Sequence, residues 1–153
     1  MKIQWKKLFA CLAIPLAVGG LSALLTRKGM EFFQTLQQPP LSPPGWLFPI
    51  VWSILYILMG IASYLVLTSG KQDHITLTIY GIQLFFNFLW SILFFNFRQY
   101  LPAFIWLVIL WLLISACIIL FYRISKPAAY LMVPYLFWVT FAGYLNFAIY
   151  LLN

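Results

Sequence analysis

The chain reads as an all-α membrane protein, a bundle of five transmembrane helices, and three observations carry that reading. Of its 153 residues 65% are hydrophobic, 20% aromatic and only 7% charged. A soluble domain has about a quarter of its residues charged, so this chain cannot cover a globular surface with polar groups and belongs in lipid. Charges also cut the sequence into uncharged stretches of the length that crosses a bilayer, about 20 residues at 1.5 Å each. Finally, the net charge of +7 comes from nine Lys and Arg against Glu31 and Asp73, with the basic residues singly or in pairs at the ends of apolar runs. Membrane topology needs them there, and with no basic stripe or patch no nucleic-acid partner is expected.

Taken in order, residues 8–26 are uncharged, and the spacing predicts a first helix over about 6–27. Lys2, Lys6 and Lys7 ahead of an apolar run also fit a signal peptide, but the run has the length of a full span and Arg27-Lys28 follow as a stop, so it is read as a retained helix. Prolines break the first part of the next uncharged stretch, leaving a proline-rich loop over 28–45 and a second helix over 46–68. Further helices are predicted over 75–97, 102–122 and 128–151, all within a single domain spanning 1–153.

Five spans put the termini on opposite sides. Lys2, Lys6, Lys7, Lys71, Arg123 and Lys126 share one side, six against Arg27, Lys28 and Arg98 on the other. The excess predicts a cytoplasmic N-terminus in a multi-pass plasma-membrane protein, with the first loop facing outward. Cys11 and Cys117 lie inside apolar runs without metal-site spacing, so they read as small hydrophobes and no metal is expected.

No Asp, Glu, His, Lys or Arg falls in the middle of any span. That removes buried candidates for carboxylate acid–base catalysis, for a Ser-His-Asp triad and for the coupling site of a gradient-driven pump. What remains is amides and aromatics. In "GIQLFFNFLWSILFFNF" Gln83, Asn87 and Trp90 stand at i, i+4 and i+7 on one face, which should point into the bundle. Two readings stay open there, an interhelical hydrogen bond and a ligand contact. Trp138, Ala142, Leu145 and Asn146 share a face of the last helix, and Ala142 with Gly143 leaves either close helix packing or a cavity under the indole. Trp52 and Tyr56 form a similar i, i+4 pair. An aromatic girdle accounts for Trp5 and suits Trp46, but Trp52 and Trp90 lie deeper, beside polar neighbours.

"PPLSPPGWLFPIVWSILYILMGIASY", "NFLWSILFF" and "PYLFWVTFAGYLNFAIYLLN" together resemble the TspO/MBR family, the translocator proteins once called peripheral benzodiazepine receptors. The resemblance covers essentially the whole chain. It implies a pocket between the helices beneath the first loop that binds protoporphyrin IX and related tetrapyrroles. It also implies hydrophobic drug-like ligands such as isoquinoline carboxamides and benzodiazepines, and a homodimer. Carried over by motif, the ligand-binding residues are Pro44, Trp46, Phe48, Trp52, Asn87, Trp90, Trp138, Ala142 and Leu145. No cofactor is required; a porphyrin is ligand or substrate.

The resemblance further implies, for some bacterial members, light- and oxygen-dependent porphyrin degradation, with Trp52 and Trp138 as the redox (catalytic) residues of that alternative. A tetrapyrrole transporter is the remaining alternative. Sterol binding, implied for animal members, is not expected, because no basic segment follows the last helix motif. The segment "QQPPLSPPGWLFPIVW" is a rigid connector or, beside such a pocket, a lid, with Trp46 at its rim and Trp52 facing the ligand.

Overall fold

The computed structural model describes residues 2–153. Among these there is no strand, and five helices are long and apolar enough to cross a membrane. In chain order they are α1 (Trp5–Leu25), α3 (Leu47–Leu67), α4 (His74–Ser91, continued by a π turn over Ile92–Asn96), α5 (Tyr100–Ile124) and α6 (Lys126–Leu152). A short helix, α2 (Arg27–Phe33), lies in the first connection. The segment expected as loop over 28–45 is therefore helical in its first part. Its prolines begin only at Pro39, so nothing in "RKGMEFF" prevents a helical turn.

Local chemistry sets the helix ends. Asp73 starts α4, its carboxylate accepting from the Thr76 N–H at 2.6 Å. That hydrogen bond holds the exposed Asp73 carboxyl below its usual range. Ser125 caps α6 by accepting from Ala128 N–H at 3.4 Å, with Pro127 in the first turn. Ser125 is also the single residue between α5 and α6, which folds them into a tight hairpin. α5 begins at Tyr100 rather than at the expected 102, because Pro102 in a first turn loses no intrahelical donor.

Neighbouring helices pack around the bundle in the order α1, α3, α6, α5, α4, with α4 returning to α1. The apolar seam of α5 is Ala103, Leu107, Leu110, Ile114, Cys117 and Phe121, none more than 2% exposed. Steps of four and three keep these residues on one face, while Leu101, Ile105, Val108, Ile109 and Leu112 are exposed and left to lipid. On α1 the small residues divide: Ala13 and Ala17 are exposed, whereas Gly19 lies against the Tyr56 ring.

At mid-bundle the polar face of α4 is consumed by hydrogen bonds. Tyr56 Oη donates to Asn87 Oδ1 at 2.8 Å, and Asn87 Nδ2 donates to Tyr135 Oη at 2.7 Å. Tyr135 Oη in turn donates to Gln83 Oε1 at 2.8 Å, and Gln83 Nε2 reaches Met59 Sδ at 3.9 Å. Gln83 and Asn87 are wholly buried, so these bonds join α3, α4 and α6 where no water can substitute. Interhelical hydrogen bonds in membranes contribute roughly 0.6 kcal/mol each on average.

Tyr135→Phe removes the hydroxyl shared by both amides and leaves Asn87 Nδ2 and Gln83 Oε1 unpaired. We expect a loss of about 1–3 kcal/mol, read as a lower thermal midpoint in detergent. An unchanged midpoint removes the network from the fold's energetics. Because the folded Asp73 value is depressed, its contribution is present above the ordinary carboxylate value of about 3.9 and is lost as pH falls from there through the lower folded value. Amide protection at Thr76 should fall over that same window.

Candidate functional site

Above this network, at the end of the bundle holding the first connection, the helices spread around a cavity of about 250 Å³. Its walls come from α1, α2, α3, α4 with its π turn, and α6, and no lining residue carries a charge. Six rings close a collar around it: Phe33, Phe48, Trp138, Trp52, Trp90 and Phe94. Each touches the next and the last returns to Phe33, with centroid separations of 6.1, 5.9, 6.4, 6.5, 5.4 and 5.7 Å around the circuit. Aromatic pairs at such spacings contribute about 0.5–1.5 kcal/mol beyond burial.

The collar rests on the polar network. Trp52 stacks on Tyr56 at 5.6 Å and meets the edge of Tyr135 at 6.3 Å, so two phenols of the network hold one indole of the cavity. Trp90 is fixed separately: its Nε1 donates to Asn146 Oδ1 at 3.0 Å, while Asn146 Nδ2 donates to Tyr100 O at 2.8 Å. Trp106 and Trp111 likewise donate to Phe86 O and Thr140 Oγ1. Trp138 differs, because its Nε1 is buried without a hydrogen-bond partner. Its ring also forms part of a shallow groove on the outer side of α3 and α6, beside Val51, Pro134 and Phe137.

The first connection covers the cavity and is tied to α6. Tyr144 Oη donates to Pro40 O at 2.7 Å, and Asn153 exchanges bonds of 3.3 and 3.2 Å with the backbone of Gln37. α2 is clamped from the other side, with Arg98 over the Phe32 ring at 3.6 Å and Gly29 against the Phe95 carbonyl, where a Cβ would collide. Asn96 Nδ2 donates to Leu25 O at 2.9 Å and satisfies the end of α1.

Of the residues expected at the site, Phe48, Trp52, Trp90, Trp138, Ala142 and Leu145 line the cavity. Pro44, Trp46 and Asn87 do not. Trp46 and Pro44 point outward at the loop's end, with Trp46 67% exposed. Both amide groups of Asn87 are spent within the bundle, beneath the collar. Ala142 faces the cavity, while Gly143 faces Leu107 and Phe104 of α5, so the adjacent small residues serve different surfaces. Sequence reading missed Phe33, Phe94 and the wall made by α1. Phe94 was within reach, since it continues the face of Gln83, Asn87 and Trp90 by four residues. Phe33 was not, because its segment was taken as loop.

Asn146→Ala should free the Trp90 indole and strand the Tyr100 carbonyl. We expect a loss of about 1–3 kcal/mol in detergent together with a shift of tryptophan emission. Unmoved emission shows that Trp90 is held by packing alone.

With this geometry established, comparison with known proteins is direct. The family model described as TspO/MBR matches residues 11–152. Similar curated relatives include the tryptophan-rich protein TspO of Chlorobaculum tepidum, 41% identical over all of this chain and 99% of its own. The tryptophan-rich sensory protein of Cereibacter sphaeroides is 35% identical over 100% and 95% of the two chains. The translocator protein of Bos taurus is 34% identical over 96% and 90%. A collar of tryptophans and phenylalanines in a five-span bundle thus coincides with likeness along nearly the full length, and the chain belongs to the TspO/MBR family.

Proposed function

We propose that this integral membrane protein binds protoporphyrin IX and related tetrapyrroles in the collared cavity, with hydrophobic drug-like molecules such as isoquinoline carboxamides and benzodiazepines as further ligands. The observation that carries the reading is the closed circuit of six rings around an uncharged space. A porphyrin is a flat, mostly apolar plate, and ring faces and edges are the groups that hold such a plate.

Sites for drug-sized ligands are typically about 300–1,000 Å³, and the cavity is 250 Å³. A tetrapyrrole therefore requires it to widen, and the wall that can yield is α1, which presents Gly19, Gly20 and Ala23 to the space. The reading extends to a plasma-membrane location with the N-terminus cytoplasmic, following the basic-residue count, and to a homodimer.

Protoporphyrin IX should quench tryptophan fluorescence of the purified protein saturably. Trp138→Phe, which shrinks one ring of the collar, and Ala142→Leu, which fills the wall, should each weaken binding about three- to tenfold. Unchanged affinity in both variants eliminates this cavity as the site.

A second reading, light- and oxygen-dependent degradation of bound porphyrin, is favoured by one feature. Trp52 stands 6.4 Å from Trp138 and within 6.3 Å of two phenols, a cluster of oxidisable rings against the ligand space. Illumination in air should consume protoporphyrin with wild-type protein and not with the Trp52→Phe/Trp138→Phe variant. Equal consumption by both ends the catalytic role of these indoles.

A further inference from the structure

α1 and α3 touch closely at one end of the bundle and separate toward the other. Near the basic N-terminus, Gln4 N donates to Tyr64 Oη at 2.8 Å. At Gly60 the two backbones meet, so that a Cβ there would stand 2.8 Å from Leu12 Cα. One step further, the Tyr56 ring fills the gap to Gly19. Beyond that level no side-chain hydrogen bond or ring pair joins the two helices among the described residues. Leu16, Gly20 and Ala23 of α1 and Pro49 and Ser53 of α3 all line the cavity, and all five are exposed. On the side between α1 and α3 the cavity is thus walled by residues that keep much of their surface uncovered. The cover, by contrast, is fastened to α6 by Tyr144 and Asn153.

We propose that ligands enter the cavity sideways from the bilayer, between the C-terminal half of α1 and the first turns of α3, and not by lifting the first connection. Pro15 inside α1 removes one rung of its hydrogen-bond ladder, and Gly19-Gly20 follow one turn later, so the stretch of α1 between the Gly60 contact and the end held by Asn96 is the part that bows outward. Gly20 lies five residues from the α1 end and Ser53 six from the α3 start, which puts the opening about 8–9 Å below the helix ends. α1 and α3, 21 residues each, are about as long as the hydrocarbon core is thick, so the opening lies among the acyl chains, a short way below the headgroups. Arg27 and Lys28, exposed just past the end of α1, bring positive charge to the rim. The opening therefore fits a flat apolar amphiphile whose ring system lies among the acyl chains while its carboxylates stay at the rim. The proposal rests on the binding reading above and specifies how that site is reached.

The test is stopped-flow quenching of tryptophan fluorescence by protoporphyrin IX, with the protein in lipid nanodiscs. Gly20 has open space around it, so Gly20→Phe places a ring in the opening. We expect both association and dissociation to slow about tenfold. A pocket damaged by misfolding gives faster dissociation instead. Ala23→Leu, on the same opening, should produce a smaller shift of the same sign. A Gln37→Cys/Asn153→Cys disulfide, which locks the cover to α6, should leave both rates within about twofold. Arg27→Gln with Lys28→Gln should slow the diacid and not its neutral dimethyl ester. Equal effects on the two probes remove the rim charges from the proposal. Wild-type rates in the Gly20→Phe and Ala23→Leu proteins, with slow rates in the locked protein, overturn the lateral route while leaving the binding site intact. Absence of saturable quenching in the wild-type protein overturns the binding reading itself.

Discussion

Everything in the upper half of this bundle depends on a single hydroxyl at its centre. Tyr135 Oη accepts from Asn87 and donates to Gln83, and Asn87 also accepts from Tyr56. In water, amides and phenols would exchange such partners freely. In hydrocarbon they have no alternative acceptors, so helices carrying them are held in the one rotation and depth at which all are met. α3, α4 and α6 are thereby fixed relative to one another before any ring of the cavity is considered. Lipid-facing apolar residues cannot supply this register, because acyl chains solvate Leu and Phe on any face equally well.

The cavity follows from that register. Tyr56 and Tyr135 present their rings upward to Trp52, and Trp90 stands one turn above Asn87 on α4. The π turn at Ile92–Asn96 then brings Phe94 and Phe95 to the wall. Such turns insert an extra residue into the helical repeat and recur at functional sites. α6 contributes Trp138 with Ala142 one turn above it, a large and a small residue whose difference in volume is part of the cavity. The space is thus the place where three registered helices end in rings instead of interlocking aliphatic chains.

α1 stands outside this logic. It bears no member of the polar network, few of its residues are buried, and its close contacts with α3 run from Tyr64 through Gly60 to the Tyr56 ring, no higher than the floor of the cavity. The first connection, which on its prolines reads as a rigid connector or a lid, is joined by hydrogen bonds to α6 and by stacking to the loop after α4. Rigidity in this protein is distributed by hydrogen bonding, and the element with the least of it is the first helix.

The sequence by itself determined the solvent, the number of spans and the absence of an ionisable group at membrane depth. Those properties depend on composition and on the spacing of charges, which no packing can alter. It also placed Trp52, Trp90 and Trp138 toward the interior, because helical periodicity assigns residues to faces. Only the tertiary structure decided which neighbours those faces meet. Asn87 and Trp90 share a face and still part company, the amide into the network and the indole onto the cavity. Trp46, six residues before Trp52, turns outward because it stops the loop and does not enter the helix. Phe33 joins the collar from a segment whose helical turn comes from its clamp against Phe95 and Arg98. Periodicity reports direction around one helix axis. Depth, rotation and partner come from contacts between residues far apart in sequence, here from amides and phenols that lipid leaves no other means of satisfying.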